Sequence, residues 1–188
     1  AYFLDKVGQI ARSVKGVKIL ILSLILLYTV LIFEKGTARN HASFTVFDSY
    51  KKSIVIRHVG TKGYVYATGA NDESVSRILN NYKLKHRSPE LIPHKELPNF
   101  FRALDKKVMV LDTSSVLYDS GFDPDILILV NSPRINLDRL LRSMKPGTIV
   151  ADGSNYTSFK ARWQKTALKF GITYHDTRKH GAFTVKNR

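Results

Sequence analysis

The hydrophobic pattern of this chain changes character twice. From Ile19 to Phe33 (ILILSLILLYTVLIF) no charge interrupts the run and no polar face opens, the pattern of a helix apolar all round and not of a surface helix. Val17 and the stem of Lys18 can extend it, so it predicts one membrane-spanning helix over 17–33, at the short end of the roughly 17–25 residues such spans use. A buried core helix is the alternative. Next, short alternating segments predict strands at Ser43–Phe47, Ser53–His58 and Tyr64–Thr68, joined by turns at Asp48–Lys52 and Gly60–Gly63 into a meander. Asn71 or Asp72 can cap a helix whose apolar face is Val75, Ile78, Leu79 and Tyr82. Lys83 to Pro98, polar and broken by Pro89, Pro93 and Pro98, reads as a surface loop with room for one short strand.

The second change comes at Lys107. Lys107–Asp112 (KVMVLD) and Ile126–Val130 (ILILV) are continuously apolar, as strands buried on both faces are. Asn136 caps a short helix with Leu137, Leu140, Leu141 and Met144 inward, stopped by Pro146-Gly147. Thr148–Ala151 is the next strand. Ser154 then caps a longer helix in which Tyr156, Phe159, Trp163, Ala167 and Phe170 recur at spacings of three and four. Ile172–His175 and Ala182–Lys186, introduced by Gly171 and Gly181, complete a β-α-β-α-β order. The fold class is therefore α/β, with a basic juxtamembrane segment (1–16), the membrane helix (17–33) and a soluble domain (34–188).

Charge sharpens the picture. The chain carries 30 Lys and Arg against 15 Asp and Glu, a net +15. Only Lys6, Arg12, Lys15, Lys18 and Asp5 lie before the end of the apolar run, so the body beyond Phe33 keeps a net +12. Such a body faces a polyanion, either nucleic acid or an anionic membrane surface. Four basic residues before the run, against Lys35 and Arg39 just after it, orient the N-terminal side toward the cytoplasm and the body outside. The absence of cysteine excludes disulfides and thiolate metal sites.

Two stretches carry a family resemblance: Phe44 to Gly69, running on into YATGAND, and Asp125 to Val185, with ADGSN, the ARW helix and the closing HGAF as its most specific pieces. Together they resemble the C-terminal region of ComEC family DNA-internalisation proteins, the channels of natural competence, in the Bacteroidetes-like version. The resemblance implies a shortened, degenerate metallo-β-lactamase-like domain after the last membrane helix of a channel in the inner membrane, facing the periplasm. It also implies DNA, membrane lipid and the remaining membrane helices of the full-length channel as partners. The metal-binding pattern departs. Where metal-binding members of the metallo-β-lactamase group carry HxHxDH, this chain has TGANDESVSRIL; NSP (Asn131-Ser132-Pro133) replaces HHG, and Asp112 is the one matching ligand. A catalytic metal needs at least three protein ligands, so no catalytic residue, no metal and no cofactor is expected.

Among candidate residues, the six histidines show neither HxH nor an i, i+4 pair and read as surface turns and strand ends. Ser154 reads as an N-cap more readily than as a nucleophile, since no G-x-S-x-G elbow surrounds it. Asp152 either ends a strand at a ligand site or stabilises the adjacent helix N-terminus. The nucleic-acid-binding candidates are Arg134, Arg139 and Arg142 on the shorter helix and Arg162, Lys165 and Lys169 on the longer one. Cations gathered in this way suit a phosphate backbone, because each neutralised phosphate releases counterions. Lys83, Lys85, His86 and Arg87 beside Tyr82 make a second, weaker patch. The expected function is a non-catalytic module guiding DNA. The alternatives are a membrane-anchored metal-dependent hydrolase or nuclease built around Asp112 and Asp152, and a membrane-anchored structural domain facing lipid headgroups.

Overall fold

The computed structural model describes residues 17–30, 42–69, 72–86, 89–114 and 123–187. The chain divides after residue 40 into two units. In the first, helix α1 covers 17–30 and exposes its apolar side chains, while Ser23 and Thr29 return their hydroxyls to the carbonyls of Leu20 and Leu26. Its 14 residues rise about 21 Å at 1.5 Å per residue, against roughly 30 Å of bilayer hydrocarbon. No helix among the described residues is long and apolar enough to cross a membrane. The membrane span expected over 17–33 is corrected on this ground. Residues 31–33 and the juxtamembrane segment 1–16 lie outside the described residues.

The second unit is mixed α/β. In chain order it runs β1 (Ala42–Ser49), β2 (Lys52–Val59), β3 (Lys62–Ala67), α2 (Glu73–Lys85), β4 (Glu90–His94), β5 (Phe100–Ala103), β6 (Lys106–Leu111), β7 (Ile126–Leu129), α3 (Leu137–Ser143), β8 (Thr148–Ala151), α4 (Thr157–Lys169), β9 (Thr173–Asp176), α5 (Thr177–His180) and β10 (Phe183–Lys186). One sheet has the order β10-β1-β2-β3-β4 and is antiparallel except for β3 with β4; the other has the order β5-β6-β7-β8-β9 and is parallel except for β5 with β6. The α/β class holds. The fuller expectation, a membrane helix followed by a degenerate metallo-β-lactamase-like domain, gives way to these two sheets and five helices among the described residues. The stretch from Lys83 to Pro98 begins with the end of α2, and β4 is the short strand for which the expected loop had room. Pro93 fits because β4 is an edge strand, where a missing N–H costs no ladder bond.

Side-chain alternation explains the continuous apolar runs. On β6 and β7, Val108, Val110, Ile126, Ile128 and Val130 point toward Phe44, Val46 and Val55 of the first sheet. Met109, Leu111, Leu127 and Leu129 point the other way, onto Leu137, Leu140 and Leu141 of α3 and Trp163 and Ala167 of α4. β-Branched residues thus fill the sheet-to-sheet layer and longer, more flexible ones meet the helices. The outer face of the first sheet packs Ile56 and Val65 against Tyr82 of α2. Helix α2 starts where expected, with the Asp72 carboxylate accepting Ser74 N–H at 2.8 Å; the other cap candidate, Asn71, lies outside the described residues. Lys52 and Ser74 hold the Asp72 carboxyl below the usual carboxylate range.

Candidate nucleic-acid interface

Helices α3 and α4 lie side by side on the second sheet, and their core positions dictate what faces outward. Leu137, Leu140 and Leu141 of α3 turn inward, as do Trp163 and Ala167 of α4. Arg139, Arg142, Arg162, Lys165 and Lys169, and Arg134 before α3, are therefore left exposed. Asn136 caps α3 as expected, accepting Arg139 N–H at 3.1 Å.

The six cations do not form one stripe. Arg134 and Arg162 line a groove of about 580 Å³ together with Ile135, Asp138, Phe159 and Trp163. There the Arg162 guanidinium sits 4.9 Å from the centre of the Phe159 ring, a cation–π arrangement that fixes its direction. Arg142 and Lys169 both reach Asp138, at 3.1 Å and 2.5 Å, and the two cations, Lys169 first, hold its carboxyl below the usual range. Arg139 and Lys165 have no ion-pair partner among the described residues. Tyr156, expected on the core face, is 65% exposed and meets Phe159 edge-on at 5.9 Å.

A second constellation lies at the carboxyl ends of β7 and β8. Ser154 does not cap α4: the cap residue is Tyr156, without a side-chain hydrogen bond. The Ser154 hydroxyl instead donates to Asp152 Oδ1 and accepts Asn131 N–H at 2.7 Å. Asn155 accepts Ser132 N–H at 2.8 Å, and the Ser132 hydroxyl accepts Tyr156 N–H at 2.8 Å. These bonds hold Asn131 and Ser132 at φ 56° and 57°, a left-handed conformation that non-glycine residues seldom adopt. Gly153 sits so close to the Ser49 carbonyl that a Cβ there would collide with it; its own carbonyl accepts Lys51 N–H at 3.0 Å. The segment is thus an inter-sheet clasp.

At the centre of the clasp Asp152 is fully buried. Oδ1 receives Ser154 N–H at 3.1 Å and Asn155 Nδ2 at 2.9 Å, and the Ser53 hydroxyl lies close to the same carboxyl. Burial pushes the carboxyl up to about 6. Asp112, the other carboxylate of the hydrolase alternative, accepts Ser114 N–H and Oγ at 2.8 Å each. It lines a polar cleft of about 350 Å³ with Lys95 and with Ser53 and Asn131, which border the clasp. No three His, Cys, Asp or Glu side chains gather in metal-binding geometry among the described residues. The histidines are not all at the surface: His58 is 3% exposed, with Nδ1 2.9 Å from the Tyr82 hydroxyl and Nε2 2.8 Å from the Gly60 carbonyl. His86 stacks on Tyr82 at 4.2 Å. His41 and Arg87 lie outside the described residues.

The model of the ComEC C-terminal domain matches residues 44–187, most of the chain. The chain belongs to the ComEC C-terminal domain family. Membership ties it to DNA uptake in natural competence and to full-length proteins of the membrane. No curated protein and no solved structure matches it, so the metallo-β-lactamase likeness rests on no structural neighbour. The ComEC match spans both the clasp and the cationic helices.

One cation of this ComEC domain was missed from sequence. Lys160 is 5% exposed and donates to Asp176 at 2.7 Å. The signal was present, because Lys160, Trp163 and Ala167 follow one another at inward-facing helical spacings.

Proposed function

We propose that this ComEC-family domain is a non-catalytic module that guides DNA by sequence-independent phosphate contacts across α3 and α4, outside the inner membrane and beside the remaining helices of the full-length channel. The observation that carries this reading is the groove flanked by Arg134 and Arg162 on a body of net +12. Arg139 on α3 and Lys165 on α4, exposed and without an ion-pair partner among the described residues, add to the positive surface of the same two helices. The clasp around Asp152 supports a structural role there, since its hydrogen bonds join its own residues and the first sheet, with Asp152 Oδ2 buried and left without one among the described residues.

The test is fluorescence anisotropy of labelled oligonucleotides with the full chain, titrated against salt. Binding is expected to weaken with a log–log slope of roughly −0.7 to −0.9 per phosphate contacted. Arg134→Gln with Arg162→Gln is expected to lower affinity for all sequences alike and to reduce the slope by about two contacts. An unchanged slope and affinity in the folded double variant would remove this face as the interface. Equal retention by anionic vesicles at matched salt would favour the lipid-facing alternative.

A further inference from the structure

We infer that Asp138 is a built-in competitor for phosphate, which reserves Arg142 and Lys169 for polyanions. The inference rests on the DNA-guiding reading and specifies how that face is regulated. Asp138 stands in the first turn of α3, and its two oxygens are divided between two helices: Oδ2 accepts from Arg142 Nε at 3.1 Å, one turn on, and Oδ1 accepts from Lys169 Nζ at 2.5 Å, on α4. The same side chain lines the groove that holds Arg134 and Arg162. It is the one carboxylate among the groove-lining residues, and it sits amid four of the six candidate cations.

A carboxylate in that place has two effects on an incoming anion. It repels the anion at close range, and it occupies the donors that the anion would use. Carboxylate and phosphate oxygens accept the same charge-assisted hydrogen bonds. An isolated monoanion gains nothing by exchanging with Asp138, which is tethered and already in place. A nucleic-acid strand gains counterion release at every phosphate it brings, so a strand can displace Asp138 where a single anion cannot. The pairs are open to exchange because they are solvated: side-chain exposure is 34% at Asp138, 68% at Arg142 and 61% at Lys169. Exposed pairs of this kind contribute little to holding the fold. Asp138 thereby sets a threshold for binding, and it keeps two long cationic side chains ordered until a strand arrives.

The experiment compares Asp138→Asn with Glu73→Gln, each of which adds one unit of positive charge. Glu73 likewise stands in the first turn of its helix, α2, and pairs with Arg77 at i, i+4. Anisotropy against salt is expected to show Asp138→Asn binding DNA several-fold more tightly at low salt. Its log–log slope is expected to stay close to the wild type's, because the strand contacts Arg142 and Lys169 in both proteins and only the competitor is gone. Glu73→Gln should match the wild type. Equal gains from both would show a net-charge effect and overturn the inference, as would an unchanged or weaker Asp138→Asn with an intact circular dichroism spectrum. If Asp138→Asn does not fold, Arg142→Gln with Lys169→Gln in the otherwise unaltered chain serves instead. Exchange requires that pair to lose slope, and an unchanged slope overturns the inference. Normal DNA binding by the wild type together with any of these negative results removes the competitor alone. Absence of binding by wild type and Asp138→Asn alike removes the DNA reading and the competitor with it.

Discussion

Lys160 and Lys169 stand on the same helix, α4, and each meets an aspartate, at 2.7 Å and 2.5 Å. The first pair is 5% and 6% exposed and the second 61% and 34%. At the inner pair neither charge has water to fall back on, so the bond to Asp176 is obligatory, and Asp176 also accepts Arg178 N–H at the start of α5 at 3.0 Å. At the outer pair either partner can be solvated, so the bond is optional and open to competition. Similar distances therefore carry opposite meanings. The inner end of α4 belongs with the Asp152 clasp, where polar groups fix the architecture. The outer end belongs with the groove, where they are on offer to a partner.

The contrast breaks most visibly at Lys160. Lys160→Ala leaves Asp176 buried and unpaired, and a loss of about 3–5 kcal/mol in urea unfolding is expected. A loss below about 1 kcal/mol would mean that water reaches Asp176 and that the inner pair is no different from the outer one. The next effect is smaller and depends on pH. Asp152 titrates at about 6 in the folded chain against 3.8 in the reference state, so the folded state holds the proton more tightly. Its contribution is complete below about pH 4 and is lost as pH rises through about 6, with a size of up to about 3 kcal/mol. Chemical denaturation between pH 4 and 7 is expected to show stability falling with pH across that window, and Asp152→Asn is expected to flatten the curve. A rise with pH in the wild type would contradict the buried setting of this carboxyl. The smallest effect is expected at the outer face. Arg162→Gln, Lys165→Gln and Lys169→Gln together leave stability within about 0.5 kcal/mol, because Gln matches Lys and Arg in helix propensity. A thermal melt that drops well beyond this would show that the face holds the helices together.

How much of this was legible depended on whether the deciding partner lay nearby in sequence. The runs at β6 and β7 and the Asn136 and Asp72 caps are local features, and they stand where the pattern placed them. Ser154 was misjudged as a cap because its hydroxyl is claimed by Asp152 and by the amide of Asn131, 23 residues away, and no local pattern contains that choice. The short strand in the proline-broken loop is β4, where Pro93 is tolerated because the strand lies at an edge. The span over 17–33 was read from hydropathy, which reports how apolar a segment is but not how far the helix runs. At the candidate interface, helical periodicity left Arg139, Arg142, Arg162, Lys165 and Lys169 exposed, whereas Arg134, expected on the shorter helix, lies before α3. The Asp138–Arg142 pair, at i, i+4, was readable and was passed over. The Asp138–Lys169 pair spans 31 residues and needed the packing of α3 against α4.

The pairing of β10 with β1 bears on how the domain is made. Thr45 and Thr184 face each other at 3.2 Å across 139 residues of chain. During vectorial synthesis β1 can form its hairpin with β2 early, yet its other edge stays open until residue 186 has left the ribosome. Long-range closure of this kind raises contact order and slows folding, and an unpaired edge is a template for intermolecular pairing. The second sheet, whose neighbouring strands follow one another in sequence with α3 and α4 joining β7 to β8 and β8 to β9, can assemble as the chain emerges. Nascent chains halted before β10 are therefore expected to hold a formed second sheet and an unclosed first one, the state most exposed to aggregation or to capture by a chaperone.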